Sequence, residues 1–300
     1  MLETANLAKS AISPNHLNQD YRSVRRVLGQ VLTVNLLVAL AKIVAGLSTG
    51  SISMMADGFH SVMDASSNVI GMIGSTVAGL PPDGNHPYGH HKYETFATLG
   101  IGVLLLLTSW NVLKSVFARV VGGDAPEVTT LSFVVMGVTI LLNVAVVAYE
   151  KRQGQQLRSS LLLADAAHTK SDIFVSLSVI CSLVAIRLGW FWIDVVVAVI
   201  IVAVIGHTGW QIVKRASNVL TDQAVIDVSR VEQVVCAVEG VCSCHKIRSR
   251  GTDRASHLDL HVQVDGKLSL EAAHRLGHVA QDRLRQELGV IDVIVHVEPD

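Results

Sequence analysis

The stretches ADGFHSVMDASSN (residues 56–68) and ADAAHTKSD (residues 164–172) each carry His-x-x-x-Asp within a run apolar enough to be a membrane helix. Four residues is just over one helical turn, so His60 and Asp64 share one helix face, as do His168 and Asp172. Two such faces offer two imidazoles and two carboxylates to one ion, a tetrahedral set for a divalent metal. Ionisable groups at membrane depth are costly and tend to be kept for ion pathways or proton relays. The pattern predicts a membrane protein that handles a metal ion.

Composition agrees with this placement. Half of the 300 residues are hydrophobic and 16% are charged, with a mean hydropathy of +0.45, which excludes an ordinary soluble chain and points to a polytopic membrane protein. The apolar excess ends near Arg215, and the remainder from Asp222 is richly charged. A lipid-embedded domain over residues 24–216 and a water-exposed domain over 217–300 are expected, preceded by a tail over 1–23. The polar run SPNHLNQDYRSVRR separates the N-terminus from the first apolar stretch, so that tail does not read as a cleaved signal.

Six segments approach the roughly 20 apolar residues a span requires: Val27 to Leu47, Ile52 to Leu80, Thr95 to Val120, Thr129 to Tyr149, Leu157 to Leu188 and Trp190 to Val213. Gly- and Pro-bearing turns separate several of them. Arg22, Arg25, Arg26, Lys92, Lys151, Arg152, Arg158, Lys214 and Arg215 then fall on one side. By the positive-inside tendency both termini are cytoplasmic, in an integral protein of the cell (inner) membrane. The net charge of −1, without a basic stripe, gives no sign of a nucleic-acid partner. Of the four cysteines, Cys181 lies in an apolar segment and Cys236, Cys242 and Cys244 in the polar domain, which is not a disulfide framework.

The C-terminal pattern predicts a helix (Ile226 to Val238), alternating strands (Cys244 to Arg250 and His257 to Val264), a longer helix (Leu270 to Leu288) and a last strand (Val290 to Val297). This αββαβ order suits a ferredoxin-like α+β sandwich. The expected fold class is therefore a six-helix all-α membrane domain followed by a small α+β cytoplasmic domain.

Imidazole donors suit zinc, iron, cobalt and nickel, whereas an all-oxygen site leans towards magnesium, calcium or manganese, so His60, Asp64, His168 and Asp172 argue for a zinc-like ion, Zn2+ foremost. Asp57 and Asp165, each three residues before a motif histidine, are candidates to orient the rings and to carry protons. A histidine must be neutral to ligate, so metal binding displaces protons and protonation ejects metal. Metal and protons are then the exchanged partners. In the loop after the second segment, Asp83, His86 and His90 can converge where Gly84, Pro87 and Gly89 bend the chain, as a second metal site or as solvated side chains. The soluble domain carries His245, His261, His274, His278 and His296 with Glu298, Cys242 and Cys244, a ligand-rich set spread over several elements. Small residues Gly71, Gly74, Ser75 and Ala78 at helical spacing permit close helix packing.

Taken in order, GSISMMADGFHSVMD, DGNHPYGHHKYE, ADAAHTKSD, HLDLH and VIVHVEP resemble the cation diffusion facilitator family of metal transporters from about Val24 to Pro299. The resemblance implies a transport site at His60, Asp64, His168 and Asp172, and a loop site at Asp83, His86 and His90. It implies a cytoplasmic binuclear site at His245, His261, His274, His296 and Glu298, where related sequences often end in Asp. Lys92 and Asp222 match a charged pair that interlocks two protomers, so a homodimer is implied. Cys242 and Cys244 depart from the family pattern. The expected activity is export of zinc, or of cadmium, iron or cobalt, against protons. The alternatives are a membrane-embedded metalloenzyme, against which stands the absence of His-Glu-x-x-His, and a metal sensor or channel without proton coupling.

Overall fold

The computed structural model describes residues 14–49, 64–122, 130–187, 191–252 and 254–300, with positions 55, 58, 59, 61 and 62 between them. Asp20–Ala216 form one compact unit and Ser217–Asp300 belong to another.

In the first unit the described helices are α1 (Pro14–Thr49), α2 (Ser66–Ala78), α3 (Lys92–Gly122), α4 (Thr130–Gln156), α5 (Ser160–Arg187) and α6 (Phe191–Leu220), the last running on into the second unit. Three segments, Asp20–Val44, Lys92–Lys114 and Val134–Gln156, are long and apolar enough to cross a membrane. Leu37, Leu40, Leu107, Trp110 and Leu141 lie exposed on them. Such a density of outward apolar side chains suits hydrocarbon rather than water.

The described part of helix α1 begins at Pro14, well before the apolar run from Val27. Tyr21, Val24, Leu28 and Val31 then recur at three- and four-residue steps on a buried face. Val24, Val27 and Leu28 join Ala97 and Ile101 of α3 and Leu161, Leu162 and Ala164 of α5 in one apolar cluster.

The expected small-residue face is buried on α2, where Ser67, Asn68, Gly71, Gly74, Ser75 and Ala78 point inward. A Cβ added at Gly74 would lie 2.3 Å from Cβ of Ala97, so α2 and α3 approach through hydrogen-for-methyl economy at that point. The second expected helix begins at Ile52; half of the positions from 52 to 65 lie outside the described residues.

The C-terminal unit comprises α7 (Val228–Cys236), β1 (Val241–Gly251), β2 (Ser256–Val264), α8 (Leu270–Leu288) and β3 (Asp292–Pro299), in the order read from the sequence. The sheet runs β1-β2-β3, with β1 antiparallel and β3 parallel to β2. Helix α8 makes the crossover that a parallel pair requires. The Asp227 side chain caps α7 by accepting from the Ser229 amide at 3.0 Å. Hydrogen bonds from Ser229 hold the Asp227 carboxyl below its ordinary value. Ser269 caps α8 in the same way, and Gly289 ends it in the left-handed conformation (φ 65°) that glycine adopts without strain.

Alternation along β2 divides the unit. Leu258, Leu260, Val262 and Val264 are buried with Val231, Val234 and Val235 of α7 and Leu284 of α8, whereas His257, Asp259, His261 and Gln263 occupy the other face.

Gly74→Val should drive α2 and α3 apart and cost on the order of 1–3 kcal/mol through overpacking. Gly137→Ala, where an added Cβ meets nothing within 4 Å, should be neutral or stabilising by up to about 1 kcal/mol. Thermal unfolding of the detergent-solubilised protein distinguishes the two, and equal melting temperatures would refute the close approach.

Candidate metal centres

Helix α5 carries His168 and Asp172 one turn apart, and Asp64 lies just before α2. Donor atoms of Asp64, His168 and Asp172 all fall within 4.8 Å of one another. His168 is buried, with 4% of its surface exposed. Three donors that close can share one ion after small side-chain rotations, with ligand bonds of about 2.0–2.2 Å for nitrogen and oxygen on zinc. His60, the fourth member read from the sequence, and Asp57 lie outside the described residues.

Asp165 is fully buried next to this group. Its Oδ2 accepts a hydrogen bond from Nδ2 of Asn68, whose own Oδ1 accepts from Nδ2 of Asn35 at 3.0 Å. Two side-chain amides thus tie α1 and α2 to Asp165 on α5. Glu150 of α4, also fully buried, lies beside Asp165 and Thr169. Lys42 is buried and donates to Oγ of Ser61 at 2.9 Å. Lys170 instead turns outward over the Phe174 ring at 5.3 Å.

Asn35, Asn68 and Glu150 were not among the residues singled out from the sequence. Asn68 follows Asp64 by four positions and so continues the same helix face, a signal that was available. Glu150 ends the apolar run of the fourth segment and resembles an ordinary interfacial charge.

The loop between α2 and α3 brings together Asp83, His86 and His90. Asp83 Oδ1 accepts from the amides of Asn85 at 2.9 Å and His86 at 2.7 Å, the local turn that aspartate favours. The His86 amide, foremost among several hydrogen bonds, holds the Asp83 carboxyl below its ordinary value. Nε2 of His90 lies 3.4 Å from Asp83 Oδ2, and the His86 and His90 rings stand 4.3 Å apart. His90 is buried although the loop around it is exposed. Neighbouring His91 turns away and stacks on Tyr21.

In the C-terminal unit, strand register does the positioning. His245 of β1 is paired with His261 of β2, and His261 with His296 of β3, so three imidazoles line up across the sheet. Glu298 bridges two of them, with Oε1 2.7 Å from His245 Nε2 and Oε2 3.1 Å from His261 Nδ1. His261 contributes most to holding the Glu298 carboxyl below its ordinary value, followed by the charges of His245 and Lys246. Among the described residues His245, His261 and Glu298 form the close donor group, and the His296 ring stands 4.6 Å from that of His261. His274 lies on α8, with Nε2 3.1 Å from that of His278. Helix α8 packs on the apolar face of the sheet, opposite the imidazole row.

Lys92 opens α3, and Asp222 occupies the turn after α6 with a positive φ of 57°.

These three donor groups can each take a divalent cation, and the first lies among helices apolar enough to span a bilayer. Residues 30–221 match the cation efflux transmembrane domain, and residues 225–300 match the cytoplasmic domain of cation efflux proteins. The manganese efflux system protein MneS of Bacillus subtilis is 31% identical over 267 residues, covering 88% of this chain and 91% of its own length. The cation-efflux pump FieF of Shewanella oneidensis is 31% identical over 260 residues, covering 86% of this chain and 88% of its own. Metal tolerance protein C1 of Arabidopsis thaliana is 28% identical, with 89% of this chain and 61% of the plant protein aligned. On these matches the chain belongs to the cation diffusion facilitator family of metal cation efflux transporters.

Proposed function

We propose that this chain exports a zinc-like divalent cation from the cytoplasm in exchange for protons. The observation that carries the reading is the convergence of Asp64, His168 and Asp172 between apolar helices. His60, one turn before Asp64, completes the quartet on the sequence spacing. The same groups bind either the metal or protons, so an inward proton gradient drives metal out if the site opens to one side at a time. Asp165 and Asp57 orient the ligands and accept protons during exchange.

The reading includes six spans with both termini in the cytoplasm, supported by the one-sided distribution of Arg and Lys, in the cell (inner) membrane. Two copies pair through the ferredoxin-like C-terminal domain, helped by Lys92 and Asp222. Asp83, His86 and His90 hold a second ion. His245, His261, His296 and Glu298 hold regulatory metal that favours one approach of the protomers over another, and His274, on the other side of the sheet, is not part of that set.

A second reading has manganese as the cargo. It is favoured by the name of the Bacillus relative and by the two carboxylates to one imidazole among the described donors, since carboxylate oxygen suits manganese.

Proteoliposomes loaded with zinc, cadmium, iron, cobalt or manganese separate these readings. Zinc flux with proton counterflow is expected, and flux of manganese alone would replace zinc by the second reading. Flux indifferent to a pH difference would sink the antiport. Asp172→Ala and His168→Ala should each lower flux by at least about tenfold, since even residues that only orient ligands give 10- to 100-fold losses.

The metal-free C-terminal domain has an acid limb with a definite sign. Glu298 is held below its ordinary value in the fold, so its contribution to stability is present above that ordinary value and is lost as pH falls through the lowered one. Glu298→Gln should flatten this limb in hydrogen exchange of β2 and β3 and weaken metal binding by the domain. An unchanged acid limb would remove the bridge between His245 and His261.

A further inference from the structure

The cysteines of the C-terminal unit are not used by the imidazole row, yet two of them meet. Cys236 ends α7, and Cys244 projects from β1 towards the apolar core between strand and helix. Their sulfurs stand 3.9 Å apart. Both are free thiols. Two thiolates sharing a tetrahedral ion at metal–sulfur bonds of about 2.3 Å stand about 3.8 Å apart, so the spacing already fits.

A carboxylate stands nearby. Glu232 precedes Cys236 by four residues and occupies the same face of α7. Burial foremost, then the Cys236 sulfur and the Glu232 carboxylate, push the Cys244 thiol up to about 12. Glu232 is therefore within electrostatic reach of the sulfur pair. Two elements thus contribute two sulfurs to one spot, a donor pair that favours thiophilic ions such as cadmium and zinc.

We propose that Cys236 and Cys244 form a soft-metal site on the helix side of the sheet, separate from the imidazole and carboxylate group on its other face. Binding releases the two thiol protons to solvent, and the ion draws α7 against β1. His245 adjoins Cys244 in sequence and faces the opposite way along the alternating strand. The domain then presents two metal sites of different hardness, back to back through one strand. The site does not depend on the transport reading.

The test uses the full-length protein in detergent under a non-metal-binding reductant, titrated with cadmium. A sulfur-to-cadmium charge-transfer absorption in the ultraviolet is expected. It should be lost in both Cys236→Ser and Cys244→Ser and kept in a His245→Ala, His261→Ala double variant. In the parent protein, where folding is not in question, cadmium should slow alkylation of Cys236 and Cys244 together by at least tenfold. Absence of the band, its survival in either serine variant, or unprotected thiols in the parent would overturn the site.

Discussion

Everything in the membrane unit is arranged around the cost of holding carboxylates and an imidazole away from bulk water. Asp64, Asp172 and Asp165 would repel one another if all were ionised away from water, and a divalent cation or protons relieve that repulsion. The helices are therefore not merely a wall around an ion site. Their apolar exteriors exclude water, and one buried cation among the described residues, Lys42, acts on Asp172 against several carboxylates, so exchangeable positive charge has a balance to make up.

The supporting polar groups explain how such a cluster keeps its shape. The Asn35 to Asn68 to Asp165 series fixes one carboxylate through neutral amides, which bring no further charge into the interior. Glu150 approaches the same carboxylate from α4. Small residues on α2 let that helix come close enough to α3 to deliver Asp64 and Asn68 to the interior. Packing and chemistry share the same face of the same helix.

Much of this was legible in the sequence because helical and strand periods are short-range rules. The repeated His-x-x-x-Asp spacing identified Asp64, His168 and Asp172, and alternation in HLDLHVQV marked β2. Partners across the fold were less accessible. An Asn in an apolar helix does not say which carboxylate it will meet, and Cys244 read most simply with its neighbour Cys242, whereas the chain returns it to Cys236. The start of α1 was hidden for another reason. Its buried face of Tyr21 and Val24 is embedded in a polar run whose average hydropathy masks the period. His274 was grouped with the strand histidines by chemistry alone, while the packing of α8 puts it beside His278 on the far side of the sheet.

The row His245, His261, His296 has a consequence for how this domain can vary. Its ligands and its hydrophobic centre are odd and even positions of the same strands, so a single inserted or deleted residue within β2 would exchange them wholesale. The side chains on that face can therefore be changed by substitution but not by altering strand length. Length changes are confined to the connections, and the spacing between His257 and Val264 is locked by both faces at once.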